Sequence, residues 1–227
     1  MHFTIITCLP DLLSGPLNHS ILQRAQENGL VDIELVDLRD FGLGKNRQID
    51  DYQYGGGAGM VLMAEPLANA IESCQERRSY DHIIYLTPDG ETADQKMMNR
   101  LSGCENIMLL CGHYKGIDDR IRQSFVTKEI SIGDYVLSGG EIAAALLVDG
   151  ISRLIPGVLN DGSSALSDSF QDHLLAPPIY TRPSEFRGMK VPDILLSGHD
   201  AKIDEWRQDQ ALQRTKERRP DLLDRLE

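Results

Sequence analysis

Nothing in this chain of 227 residues is long and apolar enough to cross a bilayer. No apolar run approaches the ~20 residues required, and the N-terminal MHFTIITCLPDLL carries no basic leader. Neither membrane anchoring nor secretion is expected. Cysteine is sparse as well: Cys8, Cys74, Cys104 and Cys111 have no CxxC spacing and no accompanying histidine pattern. A disulfide framework and a zinc site are therefore not suggested, and a reducing cytoplasm is the expected compartment. Positive charge is in deficit, with 23 Lys and Arg against 35 Asp and Glu and a net charge of −12. That balance argues against a nonspecific nucleic-acid binder, whose phosphate contacts need clustered bases. Two phosphate-binding patterns are also missing. The glycine cluster YGGGAGM, Tyr54 to Met60, fails GxGxxG because the third glycine would fall at Met60 or Leu62, and it follows no clear strand. No GxxxxGK[ST] occurs, so NAD enzymes and P-loop NTPases are disfavoured. No internal repeat is found.

What is present describes a folded globular protein: 41% hydrophobic and 26% charged residues, in a chain long enough for one large domain or two modest ones. Two local basic patches break the acidic average. Arg207, Arg214, Lys216, Arg218 and Arg219 outnumber Asp209 and Glu217, and Arg39, Lys45 and Arg47 surround Asp40. Both read first as solvated faces and leave RNA open as a partner.

Apolar, β-rich runs recur at Phe3 to Leu9, Ile33 to Leu38, His82 to Leu86, Ile107 to Cys111 and Lys128 to Ile132. Several are unbroken, as in parallel strands buried on both faces. Candidate helices lie between them at Pro66 to Arg77, Ala93 to Ser102 and Gly116 to Ser124. Another runs from Glu141 to Ile155, with Ala144, Leu147, Val148, Ile151 and Ile155 on one face and Pro156 as its stop. The alternation predicts an α/β fold, a parallel sheet with helices on both faces. Gly157 to Ser169 reads as a linker, and the following APPIYTRP is extended by its prolines. Asp200 to Glu227 is charged and helical, with Trp206 as its large aromatic. The expected organisation is a large α/β domain over 1–159, a linker over 160–169 and a small helical domain over 170–227.

Three predicted strand ends share a texture: YLTPDG (Tyr85 to Gly90), LLCGHYKGID (Leu109 to Asp118) and SIGDYVLSGGE (Ser131 to Glu141). The carboxyl ends of parallel strands are where open sheets form crevices. Glycine, proline and hydroxyl residues there predict a site built largely from backbone groups, suited to an adenine or a ribose. Asp168 reads as a capping residue ahead of FQDHLL, Arg153 as an i,i+4 partner of Asp149, and His113 and Tyr114 as core or turn residues.

Seven ordered motifs extend this reading: YGGGAGM, CGHYKGIDDRI, EISIGDYVLSGGE, DGISRLIPGVL, DSF, YTRP and VPDILLSGH. Together they closely resemble the bacterial tRNA (guanine-37-N1)-methyltransferases of the SPOUT class, over nearly the whole chain. The resemblance implies a deep C-terminal trefoil knot in the sheet and S-adenosylmethionine as cofactor. Its cofactor contacts fall on Tyr85, Leu86, Pro88, Gly112, His113, Ile132, Gly133, Tyr135, Leu137, Gly139 and Gly140. It implies Asp168 as the base at guanine N1 and Arg153 as the group stabilising charge at O6. The implied partner is tRNA with guanosine at positions 36 and 37, held by a homodimer whose active site is shared between subunits. Asp50 and Gly59 would read the guanine pair, and Arg207, Arg214 and Lys216 would meet phosphates. Magnesium is a second candidate cofactor. Lys115 and Ala176 stand where the family usually carries acids, Gln53 where a proline precedes YGGG, and Ile179 where a histidine precedes YTRP. The changes at 115 and 176 predict weaker cofactor affinity or an altered metal requirement. Two alternatives stay open: a SPOUT methyltransferase acting on another RNA such as rRNA, and an RNA-binding homologue with impaired catalysis.

Overall fold

Five runs of β-branched and apolar residues pair as one parallel sheet in the order β2-β1-β6-β5-β7. They are β1 His2–Thr7, β2 Asp32–Asp37, β5 His82–Thr92, β6 Asn106–Cys111 and β7 Lys128–Ser131. The computed structural model describes residues 1–159 and 168–224 and divides into two compact units, Met1–Asp161 and Gly162–Glu227. The sheet belongs to the first. Phe3 is in register with both Ile33 and Ile107, and Leu109 with both Ile5 and Ile84. All six residues of β1 are buried, which is why that run is unbroken rather than alternating.

Successive side chains along β1 and β6 feed two apolar layers. Ile5 and Leu109 pack with Leu13, Leu17, Leu22, Ala25, Met97, Leu101 and Leu147. These come from α1 Asp11–Leu17, α2 Ser20–Glu27, α4 Gln95–Leu101 and α6 Glu141–Ser152. Ile6 and Leu110 pack on the opposite face with Leu67, Ile71 and Ile121, from α3 Ala64–Arg77 and α5 Asp119–Ser124. The expected parallel sheet covered on both faces is found. Helices α1 and α2 lay outside the sequence reading. Each spans about two turns, and α1 contains Pro16, so neither displays a sustained helical period.

Three expectations need correction. The glycine cluster does follow a strand: β3 Asp50–Tyr52 pairs antiparallel with β4 Met60–Leu62, making YGGGAGM the hairpin connection. Two aspartates in three residues hid it, since aspartate is depleted in strands. Helix α6 ends at Ser152, not Ile155. Leu154 N–H and Ile155 N–H donate to the carbonyls three residues back, a tightening at the helix end ahead of Pro156. Residues 169–176 form turns rather than the helix that Asp168 was expected to cap, with Phe170 N–H donating to the Leu174 carbonyl at 2.7 Å.

Strand β5 also runs past its predicted end. Its pairing with β7 jumps from Leu86 to Glu91, so Thr87–Gly90 loops out and the strand resumes at Glu91–Thr92. In the second unit, β8 Glu185–Phe186 and β9 Met189–Lys190 make a short hairpin, and α7 Asp200–Arg218 is its long helix. Buried Thr215 of α7 donates to the Ala211 carbonyl at 2.7 Å and accepts the Leu175 N–H at 2.9 Å, fixing the turn segment to the helix. Among the described residues no helix is long and apolar enough to cross a membrane.

Candidate active site

At the carboxyl ends of β5, β6 and β7 lies a cleft of about 490 Å³. The eleven residues Tyr85, Leu86, Pro88, Gly112, His113, Ile132, Gly133, Tyr135, Leu137, Gly139 and Gly140 all line it. The three loops singled out by composition therefore share one cavity. They are tied to one another by backbone: Gly140 N–H donates to the Gly112 carbonyl at 2.8 Å, and His113 and Gly139 form an isolated antiparallel bridge. A β-carbon at Gly140 would lie 2.8 Å from the Cα of Cys111 and 3.0 Å from the Gly112 nitrogen. Only glycine permits the two segments to touch there.

Ser131 shapes the entry to the β7 loop, its hydroxyl donating to the Gly133 carbonyl at 3.1 Å. The Tyr135 hydroxyl donates to the Ile132 carbonyl at 3.2 Å, folding its ring back over the loop. Tyr135, Val136 and Leu137 are nonetheless exposed. They form an apolar rim of the kind that covers the flat face of a ligand.

The opposite wall is charged and was not legible in the sequence. Arg122 of α5 is bidentate to Glu129 at 2.8 Å through both Nε and Nη2, and Nη2 also donates to Asp89 at 2.7 Å. Its guanidinium carbon lies 5.4 Å from the centroid of the Tyr85 ring. Thr87 donates to the other oxygen of Asp89. The Thr87 hydrogen bond, followed by the Arg122 contact, holds the Asp89 carboxyl below the usual carboxylate range. Burial pushes the Tyr85 phenol up, so it stays a neutral donor. Asp89 and Arg122 are 33 residues apart, and no local spacing could have signalled the pair.

The remaining predicted residues lie elsewhere. Arg153 is half-buried at the C-cap of α6, the helix whose first residues form the cleft wall. Twelve helical residues separate it from Gly140, about 20 Å along the axis, and it does not line the cleft. Asp168 belongs to the second unit and is half-buried at the start of the turn segment. Asp50 sits on β3, and Gly59 on the hairpin loop lies against the Lys115 side chain, which itself lines the cleft. Arg207 and Lys216 are exposed on α7 and Arg214 is half-exposed. Arg207 pairs with Asp204 at 3.1 Å, a rim contact of little energetic weight.

A family model described as tRNA (Guanine-1)-methyltransferase TrmD matches residues 1–225. Among curated proteins, the chain is 61% identical over 224 residues to a tRNA (guanine-N(1)-)-methyltransferase of Christiangramia forsetii, covering 99% of both chains. It is 59% identical over 226 residues to the protein of the same name from Cytophaga hutchinsonii, covering 100% of this chain and 96% of that one. The like-named Bacteroides fragilis protein is 57% identical over 224 residues, covering 99% and 100%. With a family-model match and similarity at this level running from end to end, this chain belongs to the tRNA (guanine-1)-methyltransferase TrmD family.

Proposed function

We propose that this protein transfers a methyl group from S-adenosylmethionine to N1 of guanosine 37 in tRNA. The observation that carries the reading is the convergence of the eleven loop residues on one cleft, in a chain whose full-length relatives are named for guanine N1 methylation of tRNA. The cleft fits the cofactor in kind: its volume is in the range of small-molecule sites, and its glycine-rich backbone faces an apolar rim. When bound there, the cofactor supplies an electrophilic sulfonium methyl.

The residues of the chain supply the rest. Guanine N1 carries a proton and is a poor nucleophile until it leaves. Asp168 takes that proton, and Arg153 holds the negative charge that develops at O6. The distance along α6 supports a site shared between two copies of the chain, because Arg153 stands about 20 Å from the cleft end of its own helix. The reading also includes a deep trefoil knot, favoured by the contact of the Gly112 and Gly140 segments. It includes a C-terminal tRNA-binding domain over 170–227, joined by a linker over 160–169, most of which lies outside the described residues. In this scheme Arg207, Arg214 and Lys216 meet tRNA phosphates, and Asp50 and Gly59 read the guanines at 36 and 37. The expected setting is the cytoplasm. With lysine at 115 and alanine at 176, neither side chain offers magnesium a ligand, and weaker cofactor affinity or an altered metal requirement follows.

The deciding experiment incubates the protein with S-adenosylmethionine and two unmodified tRNA transcripts, one with guanosine at 36 and 37 and one with adenosine at 37. Nucleoside mass spectrometry reads the product. N1-methylguanosine from the first transcript alone is the expected result. Equal product from both, or from rRNA instead, would move the target site.

A further inference from the structure

Beside the cleft that His113 lines, three side chains from distant parts of the chain meet. Cys8 follows β1, His113 follows β6, and Glu141 is the first residue of α6. One thiol sulfur, one imidazole nitrogen and one carboxylate oxygen from these residues all lie within 4.8 Å of one another.

We propose that this trio binds a single divalent transition-metal ion of the zinc class. The three donor types are those of zinc sites, and ligand atoms around one tetrahedral zinc stand about 3–4 Å apart, so small side-chain rotations close the present spacing. Two further observations show donor groups suited to a cation. The His113 Nδ1 is buried and has no hydrogen-bond partner, an arrangement that costs free energy unless something occupies that lone pair or proton. The Glu141 carboxylate is also buried, at 2% exposure. Its Oε1 accepts the Thr7 hydroxyl at 2.7 Å. Its Oε2 lies on the same side of Gly139 as His113 Nδ1, since a β-carbon there would collide with both. Among the described residues no lysine or arginine forms an ion pair with it. The N-terminus of α6 offers a partial positive charge only.

When the ion binds, the Cys8 proton leaves to solvent as the thiolate ligates it. The ion would pin the ends of β1 and β6 to the start of α6, where Gly112 and Gly140 touch.

The test is an optical titration of metal-free, full-length protein with Co2+, which gives a near-ultraviolet charge-transfer band only when a thiolate is a ligand. A band that saturates at one ion per chain and is displaced by Zn2+ is expected. Cys8→Ser should abolish it, and Cys74→Ser, which alters a buried thiol on α3, should leave it intact. Glu141→Gln should weaken Co2+ binding by at least the roughly 10-fold to 100-fold that loss of a supporting partner costs. No band, or a band that survives Cys8→Ser, overturns the proposal. Should Cys8→Ser fail to fold, X-ray absorption of the zinc-loaded wild-type protein decides. One sulfur near 2.3 Å supports the site; a shell of nitrogen and oxygen alone, or no retained zinc, refutes it.

Discussion

Gly140 and Arg153 cap opposite ends of one helix, Glu141–Ser152, and stand about 20 Å apart along its axis. Gly140 closes the cleft; Arg153 does not reach it. In the proposed shared site, cleft and arginine come from different copies of the chain. Mixing a Gly140→Val chain with an Arg153→Ala chain then creates one intact site per heterodimer. About a quarter of wild-type activity is expected from a statistical mixture of two-fold dimers. A mixture as inactive as its parents would place both groups in one subunit.

Asp168→Ala removes the proposed base and leaves all eleven cleft residues untouched. Calorimetry should find S-adenosylmethionine affinity unchanged, while single-turnover methylation falls by the roughly 10²–10⁴-fold expected of a general base. Wild-type turnover would take Asp168 out of the mechanism.

Gly140→Ala introduces a β-carbon 2.8 Å from the Cα of Cys111, a backbone atom that cannot swing aside. Overpacking of this kind costs about 1–3 kcal/mol. Cofactor affinity should therefore drop by roughly tenfold or more, because the Gly112–Gly140 contact that shapes the cleft must open. Unchanged affinity would mean that the cleft tolerates separation of those segments.

Asp89 gives the fold a pH dependence of definite sign. Its folded pKa lies below the ordinary carboxylate value, owing first to Thr87 and then to Arg122. The stability it contributes is present above the ordinary carboxylate range and is lost as pH falls through the depressed value. Arg122→Gln removes one cause of the depression and leaves Glu129 unpaired. The acid-unfolding midpoint should move toward neutral pH, and stability at pH 7 should fall by on the order of 1 kcal/mol. Circular dichroism at stepped pH checks both. A midpoint that moves the other way would show that Arg122 destabilises the ionised acid.

Much of this protein is readable before it folds. The runs at Phe3, Ile33, His82, Ile107 and Lys128 all enter the sheet; those of the central strands β1, β5 and β6 are unbroken because they are buried on both faces, whereas the edge strands β2 and β7 are only partly buried. The glycine, proline and hydroxyl residues after three of them marked the cleft, since such junctions must turn sharply and offer backbone to a ligand. The failures are local in cause. Helices α1 and α2 are too short to show a period, β3 is written in aspartates, and the last residues expected of α6 yielded to tighter turns ahead of Pro156.

Sequence order and composition determined which segments become strands and which loops gather at the strand ends, because those choices depend on neighbours a few residues away. Contacts between distant positions were decided only by tertiary structure. The Asp89–Arg122–Glu129 network arises where the looped-out part of β5 meets α5 and β7. Cys8, His113 and Glu141 carry no metal-binding spacing along the chain, and they meet because the parallel order of the sheet sets the ends of β1 and β6 beside the start of α6. Separations of 105 and 28 residues are invisible to any local pattern; only packing of the core brings ligand atoms of those side chains within 4.8 Å of one another.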